Sequence, residues 1–266
     1  MSALPRIRSW ALLVLVIILA VSWYSRDRYK SAGEIDPESL AVPVQTPVAD
    51  ATPIRFSRDA YDFTLTPLFD YTLTGLVVSA QDYDRWFSIY RTDKTFTKDI
   101  CVLWGKTLQS KVHLDSAFEV EQDMRWCFFR FQRPLPFNAT EMSNNHLIAA
   151  TSVMRRQIGA IHGGDQVRIR GKLVNVKAVA TGRIGSYDNP VLEWKTSTTR
   201  DDSGAGACEI ILVESIEMIH KGNRIIHLFF WASLYGSLLF LAWIVFATII
   251  ECVRMERWVL GERGSK

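Results

Sequence analysis

The sequence predicts a mainly β protein: a small OB-like barrel with one short helix, flanked by two transmembrane helices. Three observations carry this expectation. Apolar, uncharged runs lie near both ends of the chain. Between them, short β-branched and aromatic runs are separated by Gly, Pro and Asp punctuation. A single helix-periodic segment interrupts those runs.

The first apolar run is Ala11 to Val21, with Arg6 and Arg8 before it and Trp23 and Tyr24 after it. Its length is that of a signal-peptide core, and Ala20-Val21-Ser22 fits a small-x-small cleavage site. Trp10, Trp23 and Tyr24 bracket it as interfacial anchors do, and cleavage would leave bulky Trp23 at the new terminus. The reading is an N-terminal tail and membrane anchor over residues 1–30, with a signal peptide as the alternative. Residues 31–54 carry four prolines, small residues and acids without a sustained period. They read as an extended linker.

Residues 55–220 then read as an extracytoplasmic, barrel-like domain. YTLTGLVVS (Tyr71 to Ser79), DICVLW (Asp99 to Trp104) and RWCFFRFQ (Arg125 to Gln132) are strand-like. TSVMRRQIGAI (Thr151 to Ile161) is a short helix, capped by Thr151 or Ser152 and ended by Gly163-Gly164. DQVRIRGKLVNVKAV follows, with its apolar parity switching after Leu173. That switch implies a bulge there or burial on both faces. Val191 to Ser197 adds a strand and CEIILVES (Cys208 to Ser215) closes the domain. A helix between the third and fourth strands is the OB-like order, with a different small barrel or an open sheet with one helix as the alternatives.

The second apolar run, Leu228 to Ile250, carries no charge and is long enough to cross a ~30 Å hydrocarbon layer. It sets a transmembrane helix at 225–253 and a tail at 254–266. Arg6 and Arg8 favour a cytoplasmic N-terminus, against Arg26, Arg28 and Lys30 just beyond the first run. With Arg254, Arg257, Arg263 and Lys266 after the second, the reading places both termini in the cytoplasm and the central domain outside it. Ala232 and Gly236 form a small-x-x-x-small pair that permits helix packing. The partners implied are the lipid bilayer, an envelope protein, or a second copy through this span. Lys and Arg total 31 against 28 Asp and Glu, a net charge of +3, which gives no electrostatic footprint for nucleic acid.

Chemistry concentrates in TRDDSGAGACE, Thr199 to Glu209. It is no phosphate cradle, because no Lys-Ser/Thr follows the glycines and a strand, not a helix, comes next. Cys208 as a nucleophile needs a base, and His146 in NNHLIAA is the histidine best placed, giving a Cys208–His146–Asp202 arrangement. Arg200 and Glu209 complete the candidate catalytic set. The competing reading is structural. Gly204 and Gly206 make a turn, Arg200 pairs with Asp202 or Glu209 to hold it, and Cys208 is an inert thiol opening a strand. Asp201, Asp202 and Glu209 do not match a calcium loop, and no Cys/His spacing matches zinc, so no metal or cofactor is expected. Cys101 and Cys127 lie on consecutive strands and are the expected disulfide, with two buried thiols as the alternative. Trp126, Phe128, Phe129 and Phe131 form either a stacking platform or barrel core.

YTLTGLVVSAQDYD, NNHLIAA, GDQVRIRGKLVNV and WKTSTTRDDSGAGACEIILVE, in that order, resemble a family of uncharacterised bacterial membrane-anchored proteins. Their outer domain ends in a similar (S/T)xxRxDxGxGACE stretch. The resemblance covers Tyr71 to Glu214. It touches Asp82, Tyr83, Trp104, Gly105, His146, Leu147, Gly171, Trp194, Arg200, Asp202, Gly204, Gly206, Cys208 and Glu209. The chain departs from the family at Cys101 and Cys127, in an insertion around Arg183 to Pro190, and in having a second span. The resemblance implies a bacterial origin and the limits of the domain, and supplies no mechanism. The reading is a membrane-anchored extracytoplasmic binding or scaffold module of a bacterial inner membrane, with an envelope hydrolase or transferase using His146, Arg200, Asp202 and Cys208 as the alternative.

Overall fold

The computed structural model describes residues 4–31, 33–58, 60–83, 95–123, 125–182, 189–202, 204 and 206–263. Most of the expected insertion, residues 183–188, lies outside them. The elements are α1 (Leu4–Ser25), β1 (Val44–Pro47), β2 (Ile54–Arg58), β3 (Tyr61–Asp82), β4 (Lys98–Leu103) and α2 (Gly105–Gln109). There follow β5 (Phe118–Asp123), β6 (Trp126–Phe131), β7 (Met142–Ile148), α3 (Ser152–Gly159), β8 (Gln166–Ala180), β9 (Val191–Trp194), β10 (Glu209–His220) and α4 (Arg224–Arg263). They fall into two units: a helical one, residues 1–26 with 224–266, and a β unit, residues 27–223.

In the helical unit, α4 is long and apolar enough to cross a membrane over Arg224–Met255. A second span is not supported. The apolar part of α1, Trp10–Ser25, covers only about 24 Å at a helical rise, short of a ~30 Å hydrocarbon layer. Trp23 packs on Phe230 with ring centroids 5.6 Å apart, and the Arg26 guanidinium lies over both rings at 4.0 and 4.4 Å. Gly236 faces Leu15 of α1, whereas Ala232 is exposed. The packed stripe of α4 is Phe230, Ser233 and Ser237 with Gly236, because positions three and four apart share a helix face.

In the β unit the sheet closes on itself in the order β3–β4–β7–β10–β8 and back to β3. The β7–β10 pairing is parallel and the other four are antiparallel. Alternation along each strand sends Leu73, Ile100, Val102, Leu147, Ile169, Leu173, Ile211 and Val213 into one cluster fed by all five ring strands. Ile158 and Ile161, from α3 and the turn after it, join that cluster. The opposite parity of β8, Val174, Val176 and Ala178, packs under β2 and β9 with Phe63, Leu65 and Ile210. The parity switch after Leu173 therefore reflects burial on both faces, with an irregularity in β3 between Pro67 and Phe69 opposite it. Gly171 is required where β8 passes β10, since a Cβ there would collide with Leu212 O.

Three expectations need correction. The third ring strand is β7, MSNNHLI, and not the aromatic run. Asn is depleted in strands, so the polar β7 is hidden from propensity. The aromatic run is β6, which pairs with β5 as a separate two-stranded sheet. Its Trp126, Phe128, Phe129 and Phe131 are exposed rather than ring core.

The supposed linker is also folded. Asp36 caps a 3-10 turn, fully buried Ser39 donates to Gln166 Oε1 at 3.0 Å, and β1 pairs with β3. The β unit accordingly begins at Asp27, not at residue 55. Short polar contacts and strand pairing hold these residues, and neither leaves a hydrophobic period to read.

A disulfide joins Cys101 of β4 to Cys127 of β6, tying the β5–β6 hairpin to the ring. It spans 26 residues, for which the chain-entropy account gives about 3.5 kcal/mol. The double variant Cys101→Ala/Cys127→Ala is expected to lose about 2–4 kcal/mol in urea melts of the full chain. Unchanged stability would mean that the hairpin is held by its other contacts alone.

Candidate functional site

The ring brings three polar side chains together on neighbouring strands. Asp99 of β4 is the cross-strand partner of His146 of β7, and His146 is in parallel register with Ile210 of β10. Cys208, two residues before Ile210, shares its parity and so faces the same side as His146. Asp99 Oδ1 lies 2.7 Å from His146 Nδ1, and Tyr83 donates its hydroxyl to Asp99 Oδ2 at 2.7 Å. The Cys208 side chain acts on the same imidazole, raising its pKa, and Asn144 donates Nδ2 to Cys208 Sγ at 3.3 Å. The array therefore runs Tyr83–Asp99–His146–Cys208, with an amide donor at the sulfur. Phe96 stacks on the imidazole at 4.6 Å, and Arg125 lies over the rings of Phe96 and Trp194 at 4.7 and 4.2 Å.

Burial works against a charged His146, but the Asp99 carboxylate, with a smaller contribution from Cys208, outweighs it and pushes the imidazole up to about 9. Asp99 itself is held up by burial, against the pull of His146, Tyr83 and Arg125. A base beside a thiol, oriented by a buried carboxylate, is the arrangement of nucleophilic catalysis.

The loop between β9 and β10 sets the sulfur in place. Ser197 N donates to Cys208 O at 2.9 Å, and Ile210 N donates to Thr196 Oγ1 at 2.9 Å, so the loop's two ends are pinned together. Within it, Gly204 and Gly206 have φ of +86° and +94°, which favour glycine. The turn reading and the reactive reading of TRDDSGAGACE thus describe one object: the turn is what presents Cys208. Ser203 and Ala205 lie outside the described residues.

Asp202 is not the carboxylate on His146. It is exposed and accepts from Ser197 Oγ at 2.5 Å, within the loop. Arg200 does not brace the loop through Asp202 or Glu209. Its Nη2 donates to Pro43 O at 3.1 Å, and its guanidinium sits over Tyr71 at 5.7 Å and Trp104 at 5.9 Å.

Glu209 has the parity of Ile211 and Val213 and so faces the ring interior. It is 5% exposed, and burial pushes its carboxyl up to about 8. Asp202 adds to this, while its own backbone N–H, Arg200 and His146 oppose it. Arg200, Asp202, Cys208 and Glu209 line one cavity of about 200 Å³ with Asn144, Trp104 and Trp126. A second cavity of about 230 Å³ is lined by His146, Arg125, Trp194 and, again, Cys208. Four of the five candidates (Arg200, Asp202, Cys208 and Glu209) thus share a cavity, and Cys208 links it to His146.

Sequence reasoning missed Asp99 and Asn144. The available signal was alternation: Asp99 and Cys101 share a face of DICVLW, and Asn144 shares the face of His146. Comparison with protein-family models, curated proteins and solved structures finds no match.

Proposed function

We propose that this chain is a membrane-tethered thiol enzyme, a hydrolase or transferase of acyl groups, with Cys208 as nucleophile and His146 as its base. The single observation behind this reading is the Asp99–His146–Cys208 array, with Asp99 on β4, His146 on β7 and Cys208 just before β10. In this mechanism Cys208 and His146 react as a thiolate–imidazolium pair: held up to about 9, His146 already carries the proton when Sγ attacks the substrate carbonyl. Asp99 stabilises that imidazolium, and the Asn144 amide, whose Nδ2 donates to Cys208 Sγ and to Arg125 O, holds the sulfur in place. The leaving group takes the proton back from His146, and water or a second nucleophile then cleaves the thioester.

p-Nitrophenyl acetate tests this. Full-length protein in detergent is expected to release p-nitrophenolate and to carry an acetyl group on the Cys208 peptide. Release with no Cys208 adduct, unaffected by Cys208→Ser, would overturn the reading.

A binding or scaffold role for an envelope protein or polymer is the second reading, favoured by the exposed Trp126, Phe128, Phe129 and Phe131 of the hairpin. We read the ring, with α3 between its third and fourth strands, as OB-like. We place the chain in a bacterial inner membrane with the β unit outside the cytoplasm. The disulfide, which persists in oxidising compartments, and the basic residues after the α4 span support this side. A reporter that works only outside the cytoplasm, fused after Ser215, is expected to be active, and silence there reverses the orientation.

A further inference from the structure

We propose that the cavity bounded by Trp104, Trp126, Asn144, Arg200 and Glu209 binds a small carboxylate with an aromatic or apolar body. This deepens the thiol reading by naming a substrate class, and rests on that reading only for the claim that the bound acid is a substrate.

Two orphaned polar atoms carry the inference. Glu209 Oε2 is buried without a hydrogen-bond partner, and so is Arg200 Nη1. Both residues line the same cavity. Buried polar atoms are nearly always satisfied, and leaving one unpaired is destabilising. A ligand that accepts from both removes that cost. Nη2 is already committed to Pro43 O, and the buried Tyr71 hydroxyl beside the guanidinium, also without a partner in hydrogen-bond geometry, competes with a ligand for Nη1.

Because burial holds Glu209 up to about 8, at neutral pH it is a carboxylic acid with an O–H to donate. A cationic N–H and a neutral O–H on residues that line one cavity suit an acceptor-only group such as a carboxylate. Asp202 at the same cavity disfavours anions of higher charge. Trp104, almost fully buried, and Trp126 and Phe129, partly exposed, supply apolar walls for the rest of the molecule. Cys208 lies in the same lining, so the ligand's body comes within the reach of the sulfur.

The test uses the full-length chain in detergent, with phenylacetate as probe and phenylacetamide as its uncharged control, read by tryptophan fluorescence and calorimetry. Phenylacetate is expected to bind at least about tenfold more tightly than the amide, and Arg200→Met to lose about tenfold or more. Arg200→Lys, which keeps the charge but not the fork, is expected to fall between them. Wild-type binding is expected to fade as pH rises through about 8, where Glu209 ionises, and Glu209→Gln to remove that fading. Equal binding of acid and amide, no binding of either, or an Arg200→Met protein that folds and binds normally would overturn the proposal.

Cys208→Ser separates the two readings. If Cys208→Ser binds phenylacetate as the wild type does while p-nitrophenyl acetate never acylates the wild type, the cavity stands and the thiol mechanism fails. Acylation without carboxylate preference gives the converse.

Discussion

Replacing His146 by Ala is expected to slow acylation of Cys208 by about 100-fold or more, the usual worth of a positioned base. The measurement is best made on a Cys252→Ser background, because Cys208 and Cys252 are the free cysteines among the described residues. Asp99→Asn keeps the size of the side chain and removes the charge that holds His146 up to about 9. With burial then opposed only by the smaller contribution of Cys208, the imidazole loses its proton at lower pH. The break that His146 imposes on the pH–rate profile is therefore expected to move downward in Asp99→Asn. It is expected to stay in place in Asp202→Asn, because Asp202 is exposed and bonded to Ser197. The sign is decisive, since a merely structural Asp99 would change the amount of folded protein and leave the break unmoved. If Asp202→Asn moves it instead, the Cys208–His146–Asp202 reading is the correct one.

Replacing Lys98 by Met is expected to destabilise the β unit by about 3 kcal/mol, measured by urea unfolding. Lys98 is 1% exposed, and its ammonium donates to Gly159 O at 2.9 Å and Ile161 O at 2.7 Å. Those carbonyls end α3, where a cation also meets the negative end of the helix dipole. The Asp82 carboxylate lies 3.4 Å away. Met fills much of the volume but leaves these acceptors buried and unmet, which is the costly half of the exchange. A loss below about 1 kcal/mol would mean that water reaches α3's end and satisfies it. Lys98 is the residue before Asp99, and its side chain points to the opposite face of β4. Acylation per folded molecule is therefore expected to survive the substitution.

Much of the architecture is legible locally. The apolar run of α4, the cap and period of α3, the parity of β8 and the positive-φ glycines of the last loop are each written in a few consecutive residues. They follow from hydrophobic periodicity and backbone sterics. β7 is not legible in this way, because Asn144, Asn145 and His146 are poor strand formers that pay off only when flanked by β4 and β10 on both sides. Nor is the folding of residues 31–54 onto the ring, which depends on partners as remote as Gln166.

The candidate site divides the same way. The sequence by itself determined that Cys208 leads into a strand behind a glycine turn, that His146, Arg200, Asp202, Cys208 and Glu209 are the candidate side chains, and that the C-terminal helix is long and apolar enough to cross a membrane. Which carboxylate serves His146 was decided only by tertiary structure. Asp99 and His146 are 47 positions apart in the chain and become neighbours through one antiparallel register. Asp202, only six positions from Cys208, is bound to Ser197 by its own loop. Cross-strand pairing sets side-chain distance in a closed sheet, so nearness in sequence carries little weight there.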